Sequence, residues 1–238
     1  MRVTSTDLQN SFGKYLRLAM DNEPVTIVKN GKAVASIVPC SEELRFGESE
    51  TEYQTETGPV SYKDYLELME KSDERYELID GEIYPLTATA YAHQYVLGKL
   101  YVILSNWFNE KDCQPLFAPF DVTLIKGETN INVVQPDLLV ICDPEKIGAD
   151  GKYSGVPTLI VEVLSPATLS KDLVKKTELY LQTGVREYWT IDPEGKTICQ
   201  YIFANQDIAD YLVFAGDSVI QSVCFPGLEV RLNELFLK

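Results

Sequence analysis

The sequence predicts a mixed α/β protein, and three features of the chain support this fold class. Residues 158–164 form an apolar run that contains one carboxylate, Glu162, and is flanked by prolines, which is typical of a buried strand. Residues 169–183 follow with a helical pattern. The dipeptides Asn30-Gly31 and Asp80-Gly81, each between β-rich runs, indicate two hairpins.

The carboxylate in the buried run is the first indication of function. Burying an isolated carboxylate costs several kcal/mol of solvation, so we expect Glu162 to be protonated, paired or bound to a cation. One face of the following helix carries, at spacings of four, three and four residues, Leu169, Leu173, Lys176 and Tyr180. Because most of these side chains are apolar or aromatic, the face is predicted to point inward and to bring Lys176 with it.

The composition allows a large core and restricts the partners. Of the 238 residues, 45% are hydrophobic, which predicts a globular protein. The net charge of −15 argues against a surface that coats nucleic acid, since neutralising phosphates needs clustered Lys and Arg. A nuclease remains compatible, because its site concentrates carboxylates for metal. Any DNA-binding face must then be local or assembled by oligomerisation.

Neither targeting nor zinc-binding signals occur in the sequence. No run of eighteen apolar residues and no apolar signal segment is present, so we expect a cytoplasmic protein with no membrane partner. The cysteines form no C-x-x-C pair and the chain has one histidine, so a structural zinc site is not expected. The sequence predicts free thiols at Cys40, Cys113, Cys142, Cys199 and Cys224.

Residues 1–42 form a pattern of their own. A capping sequence at Thr4 and an apolar face over residues 8–19 predict a helix, which precedes the hairpin at Asn30-Gly31. This αββ segment resembles the DNA-binding half of the Phd/YefM antitoxin family, whose hairpin carries a motif similar to NGKAVA at residues 30–35.

The resemblance implies a DNA-binding or dimerisation module, a homodimer, and a toxin-type protein partner. Operator contacts would come from residues at the helix start, namely Arg2, Thr6 and Gln9. The alternative is a small αββ packing or dimerisation module with no DNA role. Residues 43–60 are acidic and poor in apolar side chains, so they are expected to form a self-repelling linker before a second domain at residues 61–238.

The second domain alternates helices and strands. A capping box at Ser61 predicts a first helix, and residues 91–109 predict a longer one with a buried, hydrogen-bonded His93 near its start. A short helix is expected near the C-terminus. Strands are predicted at residues 115–125, 132–141, 187–193 and 197–203.

Three residues of this domain point to a divalent-metal site. If Asp137 and Glu162 come from neighbouring strands, their carboxylates can converge on Mg²⁺ or Mn²⁺, with water and phosphate in the remaining positions. Lys176 would orient the attacking water or neutralise developing charge. Two alternatives remain open. Asp137 can stabilise a turn after Pro136, and Glu162 can pair with Lys176 as a buried salt bridge without metal.

The second domain resembles the Uma-type restriction endonuclease family, a branch of the PD-(D/E)XK nuclease superfamily. The matching residues are Tyr76-Glu77-Leu78, Asp80-Gly81-Glu82, His93, Gln135-Pro136-Asp137, Glu162-Val163-Leu164-Ser165-Pro166, Asp172, Lys176, Tyr180, Gly184-Val185, Glu187-Tyr188-Trp189 and Pro226-Gly227. The resemblance implies a restriction-endonuclease-like mixed sheet flanked by helices. It also implies a DNA endonuclease that uses Mg²⁺ or Mn²⁺ and has DNA as its partner.

The resemblance assigns roles to individual residues. Asp137 and Glu162 would bind the metal, together with the carbonyl of Val163. Glu77 would be the upstream acid that joins the site in this superfamily.

One position departs from the superfamily pattern. The lysine expected at position 164 is replaced by Leu164, so Lys176 is the expected substitute, held by Asp172 through an i,i+4 pair. His93 and Tyr180 would support the site, and a core position is the alternative for both. If the substitution fails, the chain is a catalytically inactive nuclease fold that acts as a DNA-binding or toxin–antitoxin-type regulator.

Overall fold

The computed structural model describes residues 2–4, 25–29, 32–37, 58–165 and 171–237. The chain divides into two compact units, Met1–Glu50 and Thr51–Lys238. In the first unit, β1 (Arg2–Thr4) pairs in parallel with β2 (Val25–Lys29), which pairs antiparallel with β3 (Lys32–Ile37).

The hairpin predicted for the first unit is confirmed, since β2 and β3 form an antiparallel ladder. Arg2, which the sequence places at a helix start, lies in β1. Thr6 and Gln9 lie outside the described residues, as does the helix expected over residues 8–19. The likeness of this unit to antitoxins stays a prediction.

The second unit opens with α1 (Tyr62–Lys71), which has the capping box predicted at Ser61. The Asp64 N–H donates to Ser61 Oγ at 3.2 Å, and the Ser61 N–H donates to the Asp64 carboxylate at 3.2 Å. This reciprocal pairing satisfies backbone donors that a helix start otherwise leaves free.

The second predicted hairpin is also present. It consists of β4 (Tyr76–Ile79) and β5 (Glu82–Pro85). Its turn residues Asp80 and Gly81 have φ values of 50° and 80°, as the favoured two-residue hairpin turn requires. The long helix expected after it is α2 (Tyr91–Phe108). Within the described residues, no helix is both long and apolar enough to cross a membrane.

The strands predicted over residues 115–125 and 132–141 are each wrong, because each stretch is divided between two sheets. The chain changes sheet beside Pro119 and Pro136, which have no N–H to donate to a ladder. The four resulting strands are β6 (Gln114–Phe117), β7 (Val122–Lys126), β8 (Asn130–Val134) and β9 (Leu138–Ile141).

Two sheets make up most of the second unit. The remaining long strands are β10 (Leu159–Val163), β11 (Glu187–Asp192), β12 (Thr197–Ala204) and β13 (Asp207–Ala215). The six-stranded sheet has the order β13-β12-β11-β10-β9-β6, and the four-stranded sheet has the order β5-β4-β8-β7. Only β10 and β11 are parallel neighbours among these described strands. The predicted buried strand and the two predicted strands after it are confirmed.

The helix predicted after β10 is described from Lys171 onward. Lys171–Lys176 form a π-helical turn, which continues into α3 (Thr177–Thr183). The helix ends at Gly184 with a left-handed φ of 92°, as predicted.

The inward face predicted for this helix is confirmed in part. Lys176 and Tyr180 are 2% and 0% exposed. The prediction is wrong for Leu173, which is 36% exposed. A π-helical turn is wider than an α-helical turn, so the α-helical spacing does not align Leu173 with Lys176.

Both faces of the six-stranded sheet are covered. On one face, Leu138 and Val161 pack with α2 and with the C-terminal segment. On the other, Leu139 and Ile160 pack with α3 and the four-stranded sheet. The C-terminal segment consists of β14 (Val219–Gln221), β15 (Glu229–Arg231) and a 3₁₀ turn (Leu232–Glu234), which lies where the short terminal helix is expected.

The prediction of free thiols is wrong for two cysteines. Cys113 and Cys142 form a disulfide with their Cα atoms 4.1 Å apart. They follow directly in register from the Gln114–Ile141 pair of β6 and β9, so strand pairing brings them together. Cys199 and Cys224 are free, as predicted, and Cys40 lies outside the described residues.

Candidate functional site

The buried acid of β10 lies in a cluster of charged side chains. Glu162 is 2% exposed, and Lys176 Nζ lies 2.9 Å from Glu162 Oε1. The same ammonium lies 2.9 Å from Oε1 of Glu77, which is fully buried. One lysine thus contacts two buried carboxylates. Such a group tolerates desolvation only when its geometry is good.

Tyr180 supplies a second donor to the same oxygen. Its hydroxyl donates to Glu162 Oε1 at 2.7 Å. Burial, and then the nearby charge of Glu162, raise the pKa of Tyr180 well above its usual value. The phenol therefore stays protonated and continues to donate. This places Tyr180 in contact with the cluster and in the core at once.

Glu77 also fixes the segment that leads into β9. The backbone N–H of Gln135 donates to Glu77 Oε1 at 2.9 Å. Gln135 and Pro136 immediately precede Asp137, so one carboxylate oxygen links the lysine of the π-helical turn to the entry of β9.

Asp137 lies at the end of the strand next to Glu162. The antiparallel β9–β10 ladder ends at the Leu138–Val161 pair, and Asp137 and Glu162 are the next residues of the two segments. The Val163 N–H donates to Asp137 Oδ2 at 2.7 Å. The Asp137 side chain is 18% exposed, so solvent reaches it.

His93 holds the same oxygen of Asp137 from the other side. It is the third residue of α2 and 4% exposed, with Nε2 3.1 Å from Asp137 Oδ2. His93 Nδ1 is buried without a hydrogen-bond partner among the described residues. The tautomer with hydrogen on Nε2 therefore fits, because it donates to Asp137. The expected buried, hydrogen-bonded histidine is confirmed.

The predicted residues thus form two adjoining groups. Contacts join the first group, Glu77, Glu162, Lys176 and Tyr180. Asp137 and His93 form the second group, which meets the first at β10, where the Val163 amide follows Glu162. The roles predicted for these residues in metal binding and catalysis stay predictions.

Position 164, where the superfamily pattern has a lysine, carries the apolar side chain of Leu164. Leu164 is half-buried, and its N–H donates to the Ile191 carbonyl at 2.7 Å. Lys176 is the amine that contacts Glu162. The side chain of Asp172, which was expected to hold Lys176, is not among those described.

The Gln135 side chain has a structural role that the sequence does not predict. Gln135 is 7% exposed, and its Nε2 donates to Asp121 Oδ1 at 2.7 Å. Its Oε1 accepts from Arg75 NH1 at 3.3 Å. The sequence gives one indication of this role. Gln135 lies between an apolar run and a proline, where a buried polar side chain needs a hydrogen-bond partner.

A second buried carboxylate was also missed. Glu187, at the start of β11, is fully buried. Its two oxygens accept hydrogen bonds of 2.7 to 2.9 Å from four uncharged donors, the side chains of Trp189, Gln200 and Ser222 and the backbone of Cys224. Each oxygen of Glu187 thus accepts two hydrogen bonds, as a buried polar group requires.

The oxygen donors at the end of β9 and β10 fit a hard divalent cation. Within the described residues, no three His, Cys, Asp or Glu side chains gather as a metal-binding group. Mg²⁺ needs fewer protein ligands, because one or two carboxylates suffice beside water and substrate phosphate. Asp137 and Glu162, with the Val163 carbonyl, are a donor set of this type.

The second unit is a mixed α/β fold, with a six-stranded sheet that has α2 on one face and α3 with the four-stranded sheet on the other. A crystal structure described as a putative nuclease belonging to DUF820, from Anabaena variabilis, has the same fold with a TM-score of 0.60. The match covers 74% of this chain and 97% of that one, at 19% identity, and shows the fold alone.

The family follows from the sequence of the second unit. Residues 62–233 match the Uma2 family model, which is described as "Putative restriction endonuclease". The match spans well over half of the 238 residues, and the chain belongs to this family. An uncharacterized protein of Synechocystis sp. is 29% identical over 155 residues, which are 65% of this chain and 78% of that protein.

Proposed function

We propose that this chain is a divalent-metal-dependent endonuclease that hydrolyses phosphodiester bonds of DNA. The observation that carries the proposal is that the Asp137 carboxylate accepts from the N–H of Val163, the residue after Glu162, while Lys176 contacts Glu162. Membership of the Uma2 family and the fold shared with a crystal structure described as a putative nuclease support it.

Asp137, Glu162 and the carbonyl of Val163 would hold Mg²⁺ or Mn²⁺. A metal held by these residues would supply charge stabilisation to the scissile phosphate and would make a water molecule more acidic. The two acids suit this task because Asp137 is open to solvent while Glu162 is oriented by buried donors.

The neighbouring side chains orient these ligands. His93 and the Val163 N–H fix Oδ2 of Asp137, so Oδ1 is the oxygen that would bind the metal. Lys176 places one ammonium between the buried carboxylates of Glu77 and Glu162, which offsets part of the cost of burying them. Lys176 is also the amine available to orient a water or to offset charge on the phosphate.

The proposal extends to the partners. DNA is the substrate, and the first unit would serve as an antitoxin-like head that supports a homodimer and contacts DNA or a toxin-type protein. Residues 1–40 contain five basic and three acidic residues, whereas the rest of the chain is strongly acidic. This difference in charge supports a DNA contact by the first unit.

Cleavage of supercoiled plasmid by the purified chain tests the proposal. We expect nicking or cutting with Mg²⁺ or Mn²⁺ and none with EDTA. Asp137→Asn and Glu162→Gln are each expected to lower the rate about a thousandfold, since each removes a charged metal ligand. Asp217→Asn, which changes an exposed acid outside the site, is the matched control. Equal rates in all three variants would show that the site is wrong or the activity a contaminant.

The second candidate is an inactive nuclease fold that regulates by binding DNA or a toxin. Two observations favour it, namely Leu164 at the position of the superfamily lysine and the contact of Lys176 with both Glu77 and Glu162. Calorimetry separates the candidates. The endonuclease binds Mn²⁺ in a way that Asp137→Asn abolishes, whereas the inactive fold shows no Mn²⁺ binding that depends on Asp137.

A further inference from the structure

Arg75 lies at the surface end of the strand that carries Glu77. Leu86 N–H donates to the Arg75 carbonyl at 2.9 Å, which continues the β4–β5 ladder by one residue. Side chains two residues apart on a strand point to the same face, so Arg75 shares the face of Glu77. Glu77 is fully buried against Lys176, whereas Arg75 is exposed. This face therefore runs from the acid cluster to the surface.

Gln135 connects Arg75 to the entry of β9. Its backbone N–H donates to Glu77, and its side-chain Oε1 accepts from Arg75 NH1 at 3.3 Å. The Gln135 Nε2 donates to Asp121 Oδ1 at 2.7 Å, which turns Oε1 toward the guanidinium. Because Asp137 follows two residues later, Arg75 is held against the segment that carries the proposed metal ligand.

Arg75 differs from the lysines around the site in its lack of an acidic partner. Lys126 Nζ lies 3.0 Å from an Asp80 oxygen, and Lys175 Nζ lies 3.0 Å from a Glu82 oxygen. In the described part of the chain, no such ion pair involves Arg75, whose polar side-chain contact is the neutral amide of Gln135. In a protein with a net charge of −15, Arg75 is thus a guanidinium without an ion pair among the described residues, and its contact residue Gln135 precedes Asp137 by two positions.

We propose that Arg75 binds a backbone phosphate of the substrate DNA next to the metal site, with Gln135 as its positioning residue. The proposal rests on the proposed endonuclease function. A guanidinium has several N–H donors in a planar fork, so it can keep the bond to Gln135 while it binds phosphate oxygens. Phosphate contacts set the register of a protein on the duplex and carry no sequence information. Arg75 therefore places the scissile bond and does not select a sequence.

Binding of a short fluorescent duplex, followed by anisotropy over a range of salt concentrations with EDTA and with Ca²⁺, tests this assignment. Arg75→Gln is expected to weaken binding about tenfold and to reduce the salt slope by about 0.9, the loss of one phosphate contact. The weakening should be the same for two duplexes of unrelated sequence. Arg75→Lys keeps the charge and should keep the slope.

Arg186→Gln is the matched control. Arg186 is an exposed arginine that likewise forms no ion pair among the described residues. It precedes β11 at the end of the β10–β11 pair opposite to Glu162. This variant should bind like the unchanged chain. Melting temperatures of all variants should agree within a few degrees, because an exposed side chain is replaced.

Two results overturn the assignment and differ from each other. An Arg75→Gln variant that binds DNA with the slope of Arg186→Gln shows that Arg75 only braces Gln135, and leaves the endonuclease proposal intact. An unchanged chain that neither binds the duplex nor cleaves plasmid with Mn²⁺ removes the endonuclease proposal and the assignment of Arg75 together.

Discussion

Glu162 and Glu187 are two buried carboxylates on neighbouring parallel strands, yet their partners are of opposite kinds. Leu159 lies opposite Glu187 and Glu162 lies opposite Thr190, so the acids lie at the two ends of the β10–β11 pair. Glu187 accepts hydrogen bonds from four uncharged donors, whereas Glu162 accepts from an ammonium and a phenol. Two equally buried acids thus differ in the chemistry of their partners, and our proposal of a functional acid concerns Glu162.

The two carboxylates differ in how their partners are bound to the rest of the molecule. The donors of Glu187 belong to the packed interior, and replacing any of them disturbs the core. Glu162 borders Asp137, whose side chain is 18% exposed, and its ammonium partner is shared with Glu77. The proposed cation would join the Glu162 group from solvent, whereas the four hydrogen bonds of Glu187 tie it to the core.

The largest effect is expected when the shared ammonium is removed. Lys176→Met leaves Glu77 and Glu162 buried without their cation, which should lower the free energy of unfolding by about 3–5 kcal/mol. Urea denaturation at pH 7 measures this. Glu77→Gln in the same background should recover part of the loss, because it removes one of the two unpaired charges. A loss below about 1 kcal/mol would contradict the shared ion pair.

An intermediate effect is expected at the other acid. In Glu187→Gln an amide NH₂ replaces one carboxylate oxygen and faces hydrogen-bond donors. The free energy of unfolding from urea denaturation should fall by about 2–3 kcal/mol. The folded variant should bind Mn²⁺ and cleave DNA like the unchanged chain, because Glu187 lies at the far end of the sheet pair. A large fall in Mn²⁺ affinity would show that the two acids are coupled.

The smallest effect concerns the thiol beside Glu187. Burial, and then the charge of Glu187, raise the pKa of Cys224 from 9.0 to about 11. Since the unfolded chain loses this proton at lower pH, the stability contributed by the protonated thiol is fully present below pH 9. It is lost as the pH rises from 9 to about 11.

Alkylation by iodoacetamide measures this shift. In a Cys40→Ser/Cys199→Ser background, the rate at Cys224 should be low at pH 8 and rise only toward pH 11. Adding Glu187→Gln should move the profile to lower pH. A profile centred on the usual value for a thiol in both chains would show that Cys224 does not sense the Glu187 charge.

Features set by local sequence were predictable. The cap at Ser61, the turn at Asp80-Gly81 and the helix end at Gly184 each depend on residues within a few positions. The sequence does not show that residues 115–125 and residues 132–141 each contain two separate strands. Which sheet a strand joins depends on distant partners, so the apolar pattern continues through the change of sheet at each proline.

The same limit applies to the site. Glu162 and Lys176 were paired correctly because the strand and the helix face that carry them are adjacent in sequence. The prediction that Leu173 points inward is wrong because nothing in the local sequence indicates a π-helical turn. The contact of Arg75 with Gln135 joins residues sixty positions apart, and no periodicity in either segment points to the other.

The Cys113–Cys142 bond closes a ring of chain that contains β6 to β9 and, within it, Asp137. For cysteines 29 positions apart, ring closure removes about 3–4 kcal/mol of conformational freedom from the unfolded chain. Reduction by dithiothreitol opens that ring, so the unfolded chain regains this freedom and the folded chain that carries Asp137 becomes less stable relative to it. Metal affinities measured with and without reductant therefore refer to two different molecules.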